Sequence, residues 1–234
     1  MHDTRASAEE KEARWWETRM LFGSEGTSLL LPHLYAYRYP WEILPHIGAL
    51  IEELGASLPR ERFSKMGEGI WIAKSAHLAE NVSIVAPSII DEEAELRPGA
   101  FLRGGTLVGR RAVVGNSTEL KNCILFDEVQ VPHYNYVGDS VLGYRAHMGA
   151  GAITSNVKGD RSPVLIRTPD GAVESGRKKC GAFLGDLAEI GCHAVLNPGT
   201  VIGRESRVYP LSSVRGCVPP HSIFKGAGRI VPQK

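Results

Sequence analysis

The sequence predicts a parallel β-helix that follows a helical N-terminal segment. From Ile72 onward an apolar residue recurs every six positions, and a small residue tends to lie four positions after it. The apolar positions are Ile72, Leu78, Ile84, Ile90, Leu96, Leu102, Val108, Val114, Leu120, Phe126 and Pro132, followed in a second run by Leu142, Met148, Leu184, Ile190, Leu196, Ile202, Val208 and Val214. A six-residue period is typical of a parallel β-helix, in which three hexapeptides form one triangular coil of about 18 residues.

The repeat also predicts which side chains lie inside the coil. The apolar position points into a dry interior and the small position packs at a corner. A spacing of 18 then stacks Ile90, Val108 and Phe126 in one interior column. Every interior strand has a neighbour above and below, so only the end coils expose strand edges.

Residues 1–70 lack the repeat and carry helical patterns instead. Ala6–Met20 is predicted to form a charged helix. Residues 41–54 place apolar side chains at helical spacing after Pro40, and Gly55 suits the end of that helix. We interpret this segment as a cap that seals the first open coil. The alternative is an element that covers a partner or a substrate.

The β-helix is predicted over residues 71–219, with loops inserted at 132–141 and 155–183 and a C-terminal tail at 220–234. The step from Pro132 to Leu142 is ten residues, which indicates four extra residues. The longer excursion carries a β-hairpin pattern around Pro169, Asp170 and Gly171. Loops on a rigid scaffold often carry function.

Composition excludes several classes of protein. The 234 residues hold 27 Lys and Arg against 26 Asp and Glu, so bulk attraction to nucleic acid or a membrane is not expected. No membrane-spanning stretch or signal peptide is evident.

The four cysteines lack metal-type spacing, which favours free thiols in the cytoplasm. No two histidines are five apart, which argues against the zinc site of β-helical γ-type carbonic anhydrases.

A basic constellation interrupts the repeat. The residue after each apolar position is usually small, but Arg97, Arg103, Lys121 and His133 are exceptions. A spacing of 18 places Arg97 and His133 in one column and Arg103 beside Lys121 in the next. Arginine and lysine suit a phosphate, and histidine can accept a proton from an amine or a hydroxyl. The alternative is a solvated basic corner with an ordinary surface histidine.

Four blocks give the chain a family resemblance: ELRPGAFLRGGTLVG, VGNSTELKN, HYNYVGDSVLG and HMGAGAITSN. Over about 90–219 it resembles the C-terminal acetyltransferase domain of the bifunctional glucosamine-1-phosphate acetyltransferase/N-acetylglucosamine-1-phosphate uridylyltransferase. The resemblance implies a left-handed parallel β-helix, acetyl-CoA as the acyl donor, and a homotrimer with sites between neighbouring chains.

The resemblance also implies roles for single residues. Arg97 and Lys121 would bind phosphate, His133 would be the general base, Tyr136 and Asn156 would contact the sugar, and the backbone of Ala150 would approach acetyl-CoA. Two positions depart from the family pattern. His147 stands where the family has a sugar-contacting Asn, and Asp186 stands where it has a Ser beside the acyl-CoA groove.

These observations predict an acyl-CoA-dependent transferase, with acetyl the expected group. It would act on an amino group of a sugar phosphate or nucleotide sugar such as glucosamine-1-phosphate. One alternative is a non-catalytic module that binds sugar phosphates or nucleotide sugars and works with a separate nucleotidyltransferase. A purely structural, trimerising β-helix is the third hypothesis.

Overall fold

The chain folds into a left-handed parallel β-helix with three faces. The computed structural model describes residues 14–23 and 28–233. Strands on each face pair in parallel with those of the next coil. The sheets on the first and third faces are continuous, because two seven-residue strands run around the corner between them.

Strand labels follow the order of the chain. The first face contains β2 (Ile70–Ala73), β5 (Ser88–Ile90), β8 (Thr106–Val108), the ends of β10 (Glu119–Leu125) and β12 (Tyr136–Leu142), β17 (Ala182–Leu184), β20 (Thr200–Ile202) and β23 (Cys217–Val218). The second face contains β3 (His77–Leu78), β6 (Glu95–Leu96), β9 (Val113–Asn116), β11 (Gln130–His133), β13 (His147–Met148), β18 (Glu189–Ile190), β21 (Arg207–Val208) and β24 (Ser222–Phe224). The third face contains β4 (Ser83–Ile84), β7 (Phe101–Leu102), the beginnings of β10 and β12, β14 (Ile153–Thr154), β19 (Val195–Leu196) and β22 (Ser213–Val214).

Four strands complete the fold with antiparallel pairing. β1 (Phe63–Gly67) pairs with β2 at the start of the β-helix, and β25 (Ile230–Pro232) folds back on β24 at its end. β15 (Leu165–Thr168) and β16 (Gly171–Glu174) form the predicted hairpin around Pro169–Gly171. The excursion that carries this hairpin leaves the coil after β14 and returns at β17.

The interior column of the first face differs from the predicted one. Ile90 stacks on Val108, but Val108 pairs with Leu125, so the placement of Phe126 in this column is wrong. The coils become one residue shorter at this point. Phe126 lies outside the coil and is buried against Phe22, with ring centroids 5.0 Å apart.

The predicted loop at 132–141 is absent, since these residues belong to β11, β12 and the turn between them. The interior positions here are Val131 and Val137, which pair with Val114 and Leu120 respectively. Two successive coils have each lost one residue from the strict period. That loss produces the ten-residue step that the sequence pattern attributed to four inserted residues.

The C-terminal residues also stay in the β-helix longer than expected. Ile223 and Phe224 pair in register with Arg207 and Val208, so the coil extends through β24. The tail predicted to begin at residue 220 therefore leaves the coil only after Phe224.

The helices of the N-terminal segment are shorter than predicted. They are α1 (Thr18–Leu21), α2 (Leu31–Leu34), a 3₁₀ helix (Pro40–Ile43) and α3 (Ile47–Ser57). Of the helix expected over Ala6–Met20, residues 6–13 lie outside the described residues, and residues 14–17 are not helical. Pro45 separates the 3₁₀ helix from α3, because its ring removes a backbone donor.

The described helices of this segment cover the first face lengthwise, where a seal on the first open coil was predicted. α3 packs over β5, β8 and β10, and Trp41 meets Phe183 at 5.8 Å between ring centroids. The outward residues of this face are apolar and buried, namely Ile89, Leu107, Ile124, Val141, Phe183 and Val201. Such a stripe needs a covering layer to exclude water.

The described residues include no helix that is long and apolar enough to cross a membrane. All four cysteines are free thiols, with Cys123 and Cys180 buried and Cys192 exposed.

Candidate functional site

The turn between β11 and β12 holds His133 and Tyr136 in a fixed relation. Asn135, only 2% exposed, lies between them. Its amide donates to the carbonyls of Gly149 at 2.8 Å and Ala152 at 3.0 Å, and its oxygen accepts from the backbone N–H of His133 at 3.0 Å. A buried amide satisfied in this way makes the turn rigid. His133 is exposed at the corner between the second and third faces.

A hydrogen-bonded group lies on the third face, next to this turn. Asn156 donates to the Tyr136 hydroxyl at 3.1 Å and to the buried carboxylate of Asp139 at 2.7 Å. Asn122 donates to the second oxygen of Asp139 at 2.9 Å. Burial raises the pKa of Tyr136, so its hydroxyl keeps its proton. Because that oxygen already accepts from Asn156, the hydroxyl proton remains available to an acceptor on a ligand.

Cations line the same face. Lys121 pairs in register with Gly138, and the Tyr136 ring lies so close to Gly138 that a Cβ there would be 2.4 Å from the hydroxyl. Lys179, from the long excursion, lies near enough to Lys121 for the two positive charges to repel each other. Burial lowers the pKa of Lys121, and the charge of Lys179 lowers it further. Two adjacent ammonium groups make this surface attractive to an anion.

We call Arg103, Lys121 and Lys179 the basic cluster. Arg103 stacks beside Lys121, as the 18-residue spacing predicts, because Leu102 pairs with Leu120. Arg103 forms an ion pair with Glu119 at 2.6 Å. The negative charge of Asp139 acts on Lys121 and raises its pKa, against the effects of burial and of Lys179. Lys179 is not among the residues predicted from the repeat, since the excursion has no register with the coil. The only signal was the basic run Arg177–Lys179 just before the chain re-enters the β-helix.

The predicted column of Arg97 and His133 is wrong by one position. Leu96 pairs with Val114 and Val114 with Val131, so Pro132 continues the row of Arg97. His133 pairs instead with Asn116 and lies closer to the corner and to Tyr136. Arg97 remains on the second face, where Glu95 accepts two of its hydrogen bonds at 2.8 and 3.3 Å. This ion pair raises the pKa of Arg97.

His147 does not join the Tyr136 group. His147 precedes the interior Met148 at the start of its second-face strand. His133 instead follows the interior Val131 at the end of its strand, so the two histidines lie at opposite edges of this face. The Nδ1 of His147 is 2.8 Å from the carboxylate of Glu189. The two side chains line a cavity of about 510 Å³ that also contains Arg111, Glu128, Gln130, Arg145 and Leu187.

Ala150 belongs to the turn that is hydrogen-bonded to His133, and the approach of its backbone to acetyl-CoA stays a prediction. The carbonyl of His133 accepts a hydrogen bond from the backbone N–H of Gly151 at 3.0 Å, and the carbonyl of Ala150 accepts one from the backbone N–H of His193 at 2.8 Å. The turn containing Ala150 is thus bound to the coil on each side.

The expected role of Asp186 beside an acyl-CoA groove disagrees with its environment. Asp186 is 1% exposed, and its carboxylate accepts from the N–H of Gly23 at 2.7 Å and of Tyr144 at 2.9 Å. Gly23 also lies against the guanidinium of Arg204. The N–H groups of Gly23 and Tyr144 and the guanidinium of Arg204, 3.7 Å away, stabilise this buried charge. Because Gly23 belongs to the N-terminal segment, Asp186 anchors that segment to the β-helix.

No group of three or more His, Cys, Asp or Glu side chains within residues 14–23 and 28–233 could hold a metal ion.

The coil and its register define a hexapeptide-repeat β-helix. A family model described as the GMPPB C-terminal domain matches residues 84–165. The chain is 31% identical over 167 residues to a bifunctional sugar-1-phosphate nucleotidylyltransferase/acetyltransferase of Sulfurisphaera tokodaii, covering 64% of this chain and 42% of that protein. It is 33% identical over 152 residues to the bifunctional protein GlmU of Methanococcus maripaludis, covering 57% and 37%. The resemblance inferred from the motifs is therefore confirmed, although the chain spans less than half the length of these relatives.

The matching solved structures are more distant in sequence. The acetyltransferase domain of PglB from Neisseria gonorrhoeae, in complex with acetyl coenzyme A, gives a TM-score of 0.32 at 16% identity and covers 70% of this chain and 57% of that one. AntD, an N-acyltransferase from Bacillus cereus solved with dTDP-4-amino-4,6-dideoxyglucose and coenzyme A, gives 0.39 at 16% identity and covers 73% and 89%.

Proposed function

We propose that this protein transfers an acyl group, in the first instance acetyl, from acyl-CoA to an amino group on a sugar phosphate or nucleotide-linked sugar. One observation carries the proposal. A rigid turn presents His133 three residues before Tyr136, whose hydroxyl is hydrogen-bonded to Asn156 beside the basic cluster. A proton acceptor, a sugar-sized polar surface and an anion-binding surface thus lie next to one another.

The roles follow from the chemistry of each group. The imidazole of His133 accepts a proton from the sugar amine while the amine nitrogen forms a bond to the thioester carbonyl carbon. The C–S bond then breaks, and the imidazolium returns the proton to the departing thiolate. Tyr136 donates to the sugar, while Lys121 and Lys179 bind the phosphate. Arg97 contributes only if a phosphate displaces Glu95 from its guanidinium.

A homotrimer is part of this proposal. Tyr134, adjacent to His133, keeps 63% of its surface exposed and has a positive φ of 52°. Contact with a second copy would cover this aromatic side chain and supply another wall beside His133, and closed cyclic symmetry repeats the site. The four free thiols support a reducing compartment, which we take to be the cytoplasm.

One observation favours a second function, a non-catalytic module that binds sugar phosphates or nucleotide sugars and works with a nucleotidyltransferase. Asp186, expected beside the donor groove, is buried under the N-terminal segment. A chain that retained the sugar-phosphate surface and lost the donor groove would bind without turnover. The relatives of this chain include bifunctional nucleotidylyltransferases.

Release of CoA thiol from acetyl-CoA tests the proposal, with glucosamine-1-phosphate as acceptor and N-acetylglucosamine-1-phosphate as the blocked control. His133→Ala should lower kcat by about 10²-fold or more and change KM by only a few-fold, because a general base acts in the transition state. His77→Ala, which removes an exposed histidine from the same face, should have no effect. Sugar-phosphate binding without CoA release by the wild-type protein would establish the binding module instead. Undiminished turnover in His133→Ala would remove this residue as the base.

A further inference from the structure

The hairpin formed by β15 and β16 is fixed against the β-helix. Val164 and Ile166 are buried, and both approach Gly199 so closely that a Cβ there would lie within 2.9 Å of their side chains. Ser175 closes the base of the hairpin by donating to the carbonyl of Val164. Because it is docked along one edge, the hairpin forms a wall beside the third face.

A cleft of about 380 Å³ lies between this wall and the coil, and we call it the hairpin cleft. Its size is within the range of small-molecule sites and exceeds what a single phosphate needs. The hairpin cleft is lined by Ser155, Val157, Lys158, Gly159, Asp160, Leu165, Arg167, Asn197, Pro198, Arg215 and Gly216.

The charges that line the hairpin cleft are mostly positive. Arg167 comes from the hairpin and Arg215 from the end of β22, and neither forms an ion pair with another described residue. Lys158 approaches Asp160 at 3.5 Å, and that carboxylate also accepts from the N–H and hydroxyl of Ser162 at 3.0 and 2.8 Å. Two unpaired guanidinium groups on different walls are suited to grip one phosphate or diphosphate between them.

The hairpin cleft continues the candidate site along the axis of the β-helix. The interior residues Leu120, Val137, Thr154, Leu196 and Val214 stack in register on the third face. The residue after each of them points outward, which gives the row Lys121, Gly138, Ser155, Asn197 and Arg215. At a strand spacing of about 4.8 Å, Arg215 lies roughly 14 Å from the level of Gly138. The Tyr136 ring covers Gly138 in this row, and the small side chain of Ser155 comes next, before Asn197 and Arg215 at the hairpin cleft.

We infer that the hairpin cleft binds the phosphate-bearing part of a nucleotide, separately from the basic cluster. Arg167 and Arg215 hold the phosphate oxygens, while Leu165, Val157 and Pro198 offer apolar surface to the base or ribose. The nucleotide belongs either to the acyl donor or to a nucleotide-linked sugar, and both present the same chemistry here. The inference concerns binding alone, so it does not depend on acyl transfer.

Isothermal titration of the full chain tests this assignment. The probes are adenosine 3′,5′-bisphosphate for the donor, UDP and GDP for nucleotide-linked sugars, and adenosine and uridine as uncharged controls. Arg167→Ala and Arg215→Ala should each weaken binding of the preferred phosphorylated probe by about 10-fold or more, since hydrogen bonds to charged groups are the strong ones. Neither change should alter nucleoside binding more than about threefold.

Two further variants make the test specific. Arg229→Ala removes an exposed arginine that does not line the cleft and should leave the affinity unchanged. Lys121→Ala should weaken binding of glucosamine-1-phosphate but leave the affinity for adenosine 3′,5′-bisphosphate within about threefold, which separates this site from the basic cluster. The identity of the preferred nucleotide then distinguishes donor from acceptor.

Three results would overturn the inference. These are no binding of any phosphorylated probe at millimolar concentration, unchanged affinity in both arginine variants, or a change of oligomeric mass by light scattering in either variant. The last would assign the arginines to an interface between copies.

Discussion

Single polar residues determine the shape of the candidate site more than the repeat does. Asn135 fixes the turn that carries His133, and Asp139 orients Asn122 and Asn156 through its two oxygens. Both are almost fully buried. Their cost of desolvation is offset by hydrogen bonds, and losing one partner would leave the others unsatisfied.

A buried carboxyl outside the site gives the molecule a pH-dependent stability. Burial raises the pKa of Asp91 to about 6, and the hydrogen bond that the N–H of Glu92 donates to its carboxylate opposes this shift. The charges of Asp127 and Glu92 raise the pKa further, and that of Arg110 lowers it. A raised carboxyl pKa means that the folded state binds the proton more tightly. The stability that the protonated Asp91 carboxyl contributes is therefore complete below about pH 4, and it is lost as the pH rises through 6.

Asp91→Asn should therefore raise the free energy of unfolding by about 3 kcal/mol at pH 8 and change it little at pH 4. Urea unfolding at the two pH values measures the difference. Glu80→Gln, at an exposed position, is the matched control and should be neutral at both. An equal gain for Asp91→Asn at pH 4 and pH 8 would show that its charge is not the cause.

At the scale of elements, the N-terminal segment is joined to the β-helix by close contacts. Gly55 lies within α3 and not at its end, because the helix continues to Ser57. A Cβ on Gly55 would be 2.3 Å from the ring of Trp71, so glycine here allows the helix to approach the sheet. Packing against the coil has overridden the helix-ending tendency of glycine that the sequence pattern used.

Two substitutions in α3 should change stability in opposite directions. Gly55→Ala should lower the free energy of unfolding by about 1–3 kcal/mol, because the methyl group overpacks against Trp71. Gly48→Ala, whose Cβ would meet only Pro87 at 3.6 Å, should raise it by about 0.5–1 kcal/mol through helix propensity. Chemical denaturation of the two variants makes the comparison. Stabilisation by both would mean that α3 is not tightly docked.

For the whole molecule, stability depends on the stacked interior columns. Ile90, Val108 and Leu125 are fully buried and in register on the first face. Each coil is paired with the next, so an error in one coil propagates to its neighbours.

Val108→Asp should abolish folding, because it buries an unpaired charge inside the coil. Val113→Asp places the same charge on an outward, half-buried position of β9 and should give a soluble, folded protein. Soluble yield and circular dichroism distinguish the two. Normal melting of the Val108 variant would contradict the register.

The sequence by itself determined the β-helix, the hairpin, the stacking of Arg103 on Lys121 and the proximity of His133 to Tyr136. Each of these depends on local spacing, which a periodic fold converts directly into position. It also contained the apolar stripe that includes Ile89, Leu107 and Phe183, a signal that this face would be covered. The predicted end cap took no account of that stripe, which requires the N-terminal segment to lie along the first face.

Tertiary structure alone decided the register beyond Leu120, the position of Lys179 and the burial of Asp186. In a six-residue period, two lost residues and four added ones give the same phase, and only strand pairing distinguishes them. Lys179 reaches Lys121 because the excursion folds back on the coil, and Asp186 is buried because Gly23, distant in sequence, donates to it. Contacts between segments without a common period cannot be obtained from spacing along the chain.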